Sequence, residues 1–114
     1  MGRLILPTYL LRRYNIMIFY GDECKPCRDM IEYFERKNPK IIHYIEFVDI
    51  SHNTPEGNDK NHTDKAIKCG VTRVPTLAVY DDKFLEVKEF IVGAKPIVQN
   101  VERIVERYWM TPEE

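Results

Sequence analysis

Two thiols stand one helical turn apart in Cys24-Lys25-Pro26-Cys27. Thiols at this spacing can close a small disulfide ring and reopen it, which is the chemistry of a dithiol oxidoreductase. The stretch follows a strand-like run, Ile16-Met17-Ile18-Phe19-Tyr20, and opens a long helical pattern. Cys24 falls where that helix begins. Unpaired backbone N–H groups and the positive end of the helix dipole favour a thiolate there. A free thiol has a pKa of about 8.5, so any downward shift raises the reactive fraction at neutral pH. Such a thiolate can attack a partner disulfide and form a mixed disulfide. Cys27, one turn on and deeper, can then attack Cys24 and release the reduced partner. The expected roles are nucleophile for Cys24 and resolving thiol for Cys27. Lys25 and Arg28 favour the thiolate, while Asp22, Glu23 and Asp29 oppose it, leaving a local sum of -1. The helix terminus must therefore carry most of any activation.

The flanking sequence supplies the elements that position this pair. Ile16 to Tyr20 is nearly all apolar, as a strand buried on both faces should be, and Gly21 breaks it. Pro26 is tolerated in a first helical turn, where its missing N–H would have had no partner. Cys27, Met30, Ile31 and Phe34 share one helical face, and Asn38-Pro39 ends the helix. A second strand is expected within Ile41 to Asp49, centred on Tyr44 to Val48. Ser51 to His62 is polar, with Pro55 and Gly57, and reads as a solvated loop. Thr63 caps an expected short helix that runs to Cys69 and stops at Gly70. Leu77 to Tyr80 reads as a buried strand. Asp81-Asp82 turns the chain into a further strand, Phe84 to Val92, whose apolar and charged residues alternate. After Gly93, Pro96 opens a last helix with Ile97, Val101, Ile104, Val105 and Tyr108 as its apolar stripe. A short strand at Leu4 to Leu6 and a turn or two of helix at Thr8 to Tyr14 complete the expectation. The predicted fold is α/β: one domain over residues 1–114, with a single mixed sheet covered by helices.

Composition narrows the function classes. The 114 residues suffice for one domain with a real core. They are 44% hydrophobic and 31% charged, as in a globular chain. A net charge of -1 and the lack of a basic stripe interleaved with aromatics argue against a nucleic-acid partner. No run of 18 apolar residues exists to span a membrane. Pro7 and Thr8 interrupt the apolar N-terminal residues, which argues against a signal peptide, and Leu6 stands where myristoylation needs Ser or Thr. Three cysteines are too few, and odd in number, for a disulfide scaffold. A reducing cytoplasm is the simpler location, with a monomeric chain.

A second motif, Val74-Pro75-Thr76, precedes the Leu77 to Tyr80 strand. Together with Cys-x-Pro-Cys at a helix start and Gly93 before the last helix, it resembles the thioredoxin superfamily over Ile16 to Tyr108. The resemblance implies a thioredoxin fold with a shortened N-terminal strand and helix. It also implies protein disulfide reduction through Cys24 and Cys27, with no cofactor beyond that dithiol. Pro75 would be cis and packed beside the cysteines. The backbone of Val74 would bind an extended substrate segment by strand-like hydrogen bonds. Arg73 would touch an acidic substrate, and Lys25, Pro26 and Gly93 would line the same surface. Partners implied by the family are disulfide-containing proteins, ribonucleotide reductase among them. A thioredoxin-reductase-like flavoprotein or glutathione would supply the electrons. Three positions depart from the family pattern. Glu23 replaces the usual Trp, Ile18 the buried Asp, and Ile45 the Lys that partners it. The trimmed N-terminal region and the Ser51–His62 insertion are similar to the thioredoxin- and glutaredoxin-like proteins of bacteriophages.

Three other readings remain open at the level of sequence. A glutaredoxin-like enzyme would use glutathione, but glutaredoxins carry Thr-Val-Pro and a double glycine, where this chain has Val-Pro-Thr and Gly93-Ala94-Lys95. Cys24 and Cys27 could form half of a zinc site completed by Cys69 and a histidine, yet no second Cys-x-x-Cys or His-x3-His exists. A binding module could keep the fold without turnover. Cys69 reads as a helix-end residue, with a regulatory thiol as the alternative, and His43, His52 and His62 read as solvated.

Overall fold

A computed structural model describes residues 12–52 and 54–110, without the side chain of Met110. The expected strand at Leu4–Leu6 and the start of the expected Thr8–Tyr14 helix lie outside those residues. The rest of that segment is not helical. Arg12 and Arg13 are irregular, and Tyr14 already belongs to β1, Tyr14–Tyr20. The four-residue run Ile16 to Phe19 is buried, and it occupies the middle of the sheet.

The sheet order is β2-β1-β3-β4, where β2 is Glu46–Asp49, β3 is Thr76–Asp81 and β4 is Glu86–Val92. β1 runs parallel to β2 and antiparallel to β3, and β3 is antiparallel to β4. Alternation of side chains across the strands builds two cores. Ile16, Ile18, Leu77 and Val79 meet the helices α1, Lys25–Lys37, and α3, Ala94–Val105. Met17, Phe19, Ala78 and Tyr80 meet α2, Lys60–Cys69, on the opposite face. Each large apolar side chain buried this way contributes roughly 1.5–3 kcal/mol of transfer free energy. Both faces of β1 are covered, which explains why its sequence does not alternate.

Element boundaries differ from the sequence expectation where local hydrogen bonding wins. Pro39 to Tyr44 forms a 3-10 turn, with Ile41 N–H donating to Asn38 O at 3.2 Å. β2 therefore starts only at Glu46, opposite Met17, and β1 supplies no earlier parallel partner. Asp59, not Thr63, caps α2, because its carboxylate accepts from Asn61 N–H at 2.8 Å. The chain leaves α2 through Gly70 at φ 76°, a left-handed conformation that glycine adopts without a Cβ penalty. α3 begins at Ala94, with Pro96 inside its first turn, and it is continued by one π-helical turn, Glu106–Met110. Tyr108 and Trp109 in that turn pack edge-to-face on Tyr14 and Tyr44.

The hairpin after β3 is longer than Asp81-Asp82 alone. Asp81 is fully buried, and its Oδ1 accepts from Lys83 N–H at 2.9 Å and Phe84 N–H at 3.3 Å. These bonds draw Phe84 into the turn, so β4 starts at Glu86. Arg13 donates two hydrogen bonds of 2.9 Å to the same carboxylate. This bidentate pairing holds the Asp81 pKa down to about 2 and makes a buried charge tolerable.

Candidate functional site

Cys24 is the N-cap of α1, with extended backbone at φ -120° and ψ 100°. Pro26 removes one donor from the first turn, and the next free amide, Cys27 N–H, donates to Cys24 Sγ at 3.2 Å. Arg28 N–H donates to Cys24 O at 3.1 Å, the first bond of the helix. The first thiol is thus held on the helix end by the same hydrogen bond that would stabilise its thiolate. Cys24 and Cys27 form a disulfide with Cα atoms 5.2 Å apart, within the usual range for such bridges. Cys27 is fully buried, whereas Cys24 is partly exposed. The asymmetry follows from helix geometry, since Cys27 shares the inward face with Met30 and Phe34.

The Val74–Pro75 peptide bond is cis. Cys24 Sγ lies 3.8 Å from Val74 O, a contact in which the disulfide sulfur has no proton to donate. Pro75 O accepts from Gly93 N–H at 2.9 Å, and Thr76 Oγ1 donates to Arg73 O at 2.6 Å. Gly93 holds φ 105°, where a side chain would be strained. The helix start, the Arg73–Thr76 loop and the β4–α3 junction therefore converge on Cys24. Val74, Pro75 and Gly93 are brought together with the cysteines. Arg73 is exposed on the rim of a groove of about 650 Å³ that runs beside Cys24, with Asp22 and Glu23 also on its walls. Pro26 is exposed at the helix start. Lys25 is placed differently from the other sequence-derived residues. Its Nζ donates to Asp29 Oδ2 at 2.7 Å along the exposed side of α1. Much of the charge expected to act on Cys24 is thereby matched on the helix surface.

Sequence reasoning missed the residues that hold the loop before Cys24. Ser51 is buried and accepts from Asp22 N–H at 2.6 Å, while its hydroxyl donates to Asp49 Oδ1 at 2.5 Å. Asp49 also accepts from Ser51 N–H at 2.8 Å and from Thr54 Oγ1 at 3.0 Å. Burial alone would raise the Asp49 pKa, but these hydrogen bonds outweigh it and leave the carboxyl below its ordinary value. Gly57 packs so closely on the Ser51 backbone that a Cβ would sit 2.0 Å from Ser51 O. The first part of Ser51–His62 is therefore a packed turn rather than a solvated loop. Asp followed two residues later by Ser is an Asx-turn pattern, and that spacing was the available signal.

Cys69 is buried in the α2 layer, and desolvation there raises its thiol pKa. It does not join the Cys24–Cys27 pair. Among the described residues, no group of three or more His, Cys, Asp or Glu side chains is arranged to hold a metal ion. Likewise, no helix among them is long and apolar enough to cross a membrane.

No protein-family model matches the sequence, and no curated protein matches it. Solved structures do. Thioredoxin from Aeropyrum pernix is similar at 23% identity and a TM-score of 0.65, over 88% of this chain and 79% of that one. Fasciola hepatica thioredoxin is 22% identical with a TM-score of 0.53, over 84% of this chain and 81% of that one. Chlamydomonas reinhardtii thioredoxin f2 is 15% identical with a TM-score of 0.55, over 89% of this chain and 83% of that one. At these identities the likeness shows the fold. The chain has the thioredoxin fold, with a Cys-x-x-Cys disulfide at the start of α1.

Proposed function

We propose that this chain is a protein disulfide oxidoreductase that works mainly as a reductase. The observation that carries the proposal is the geometry of the pair. A partly exposed Cys24 caps α1 and accepts an amide hydrogen bond, and a buried Cys27 is bonded to it. Cys24 attacks the substrate disulfide, and its sulfur forms a mixed disulfide as the first substrate thiolate leaves. Cys27, as thiolate, then displaces the second substrate thiolate from Cys24, closing the intramolecular disulfide. Two electrons pass from the dithiol to the substrate, and each leaving thiolate takes up a proton.

The substrate class is an extended segment of a disulfide-bearing protein, laid against the Val74–Pro75 loop. The cis bond and the 3.8 Å approach of Val74 O to Cys24 Sγ support that placement. Arg73 on the groove rim suits a substrate with an acidic residue near its cystine. The dithiol is the only redox group required, and a flavoprotein reductase or glutathione in the cytoplasm would regenerate it. The test is turnover of a small disulfide-linked protein with each electron source, using wild type and Cys24→Ser. Turnover that is lost in Cys24→Ser supports the reading. A wild type inactive with both electron sources would overturn it.

A further inference from the structure

β4 is an edge strand of the sheet, and one of its faces is bare. Thr76, Ala78 and Tyr80 of β3 pair with Val92, Phe90 and Val87 of β4, so these six side chains share that face. α2 covers only the part of the face built by β1, β2 and β3. The core beneath it takes in Met17, Phe19, Val48, Ala78 and Tyr80 but no residue of β4. Val87, Phe90 and Val92 are left 36%, 45% and 41% exposed. Phe84 and Leu85, in the turn that enters β4, are barer still. Leu85 holds φ 55°, a left-handed conformation that glycine or asparagine adopts at lower cost. Its side chain belongs to neither core and is 72% exposed.

The strip runs from this turn into the disulfide site. Val92 precedes Gly93, whose N–H donates to Pro75 O at 2.9 Å, and Val74 O across the cis bond lies 3.8 Å from Cys24 Sγ. From Leu85 to Val92 it is about 20 Å long, so a polypeptide can lie along it while its cystine sits at Cys24. The five apolar residues expose on the order of 400 Å², the size of a functional patch but about half of what each partner of a stable complex covers. That area suits a transient partner. A second copy paired edge to edge is disfavoured, because Lys88 is bulged out of register between Val87 and Glu89, and Glu86, Lys88 and Glu89 charge the strand. Cations border the strip. Lys68 Nζ stands 4.2 Å from the Tyr80 ring centre, Lys83 Nζ 5.6 Å from that of Phe84, and Arg73 is exposed at the Cys24 end. Nearby acids have partners of their own. Asp82 accepts from the Asn15 amide, Glu86 pairs with Lys88 at 3.1 Å, and Glu89 accepts from Tyr108 Oη at 2.8 Å.

We propose that the bare face of β4 docks the protein whose disulfide is exchanged, through an extended apolar segment bordered by acidic residues. This rests on the disulfide-exchange function proposed above. Phe90, at the middle of the strip, is the aromatic anchor of the contact.

The probes are synthetic peptides with one intramolecular cystine and a tail of about ten residues, enough to span the strip, on either side of it. The tail is rich in Leu and Glu, in Leu and Lys, or in Ser and Gly. Dithiobis(nitrobenzoate) serves as a disulfide with no tail. The second-order rate constant for reduction of each by the reduced protein is measured by stopped flow. With the tail on one side of the cystine, the Leu–Glu peptide should react about 5- to 30-fold faster than the Ser–Gly peptide, and the Leu–Lys peptide should keep less of that gain. Phe90→Ser and Val87→Ser should lose the gain, and Phe90→Leu should keep most of it. All three variants should react with dithiobis(nitrobenzoate) as the wild type does. No gain from a Leu–Glu tail on either side, a gain that survives Phe90→Ser, or a loss shared equally with dithiobis(nitrobenzoate) would overturn the proposal. Equal gains from the Glu and Lys tails would overturn its acidic half. A dimer in sedimentation equilibrium that Phe90→Ser dissociates would give the face to a second copy and overturn it also. Failure of the wild type to react with dithiobis(nitrobenzoate) would instead overturn the exchange function beneath it.

Discussion

Replacing Ser51 by Ala tests how the loop before the nucleophile is held. The hydroxyl is 3% exposed in its residue and sits between two partners, Asp22 N–H at 2.6 Å and Asp49 Oδ1 at 2.5 Å. Its loss removes one bond to an ionised carboxylate and leaves one backbone donor without its acceptor. A hydrogen bond to a charged group contributes about 1.5–3 kcal/mol, and an orphaned buried donor costs about 1–3 kcal/mol. Two features reduce the sum. Asp49 keeps its bonds from Ser51 N–H and Thr54 Oγ1, and the exposed Asp22 lets water reach its amide. The expected net loss is about 2–4 kcal/mol. With a urea slope of about 2 kcal/mol/M, the unfolding midpoint should fall by about 1–2 M. Hydrogen exchange at the Asp22 amide should quicken, and the reaction of Cys24 with a small disulfide should slow. An unchanged midpoint together with unchanged Asp22 exchange would refute the claim that Ser51 tethers this turn.

Acid should weaken the β3–β4 hairpin. Asp81 titrates at about 2 when folded against an ordinary value of 3.8, so its stabilisation is complete above about pH 4 and is lost as pH falls between those two values. Arg13→Ala should shrink that part of the acid transition, leaving what the Lys83 and Phe84 amides contribute, as circular dichroism against pH would show. Ile18→Asp places an acid at a fully buried position with no cation beside it, and an uncompensated buried charge should cost about 3–5 kcal/mol in urea unfolding. A loss under about 1 kcal/mol would mean that the core already holds a partner for it. Lys25→Gly should lower the redox potential by less than about 30 mV, because the exposed Lys25–Asp29 pair already matches the charge. Redox titration of both proteins decides this, and a larger fall would mean that Lys25 acts directly on the Cys24 thiolate.

The parts of the fold that were legible in sequence are those fixed by burial. Ile16 to Phe19, Leu77 to Tyr80 and the stripe Ile97, Val101, Ile104 and Val105 announce their elements because each must cover a core. The paired cysteines and Val74-Pro75 were legible for another reason, since their types and order limit what the backbone can do. What stayed hidden was set by single polar contacts. Asp59 captured the start of α2 from Thr63, and Asp81 drew Phe84 out of β4. Ser51 and Asp49 turned a polar run into a packed turn.

The central claim is that Cys24 attacks and Cys27 resolves. Reduced Cys27→Ser protein mixed with a disulfide-linked protein tests it most directly, with the adduct mapped by mass spectrometry after proteolysis. Removal of the resolving thiol should trap one stable mixed disulfide, with the substrate joined to Cys24. An adduct through Cys69, or no adduct when Cys24 is intact and reduced, would contradict the account.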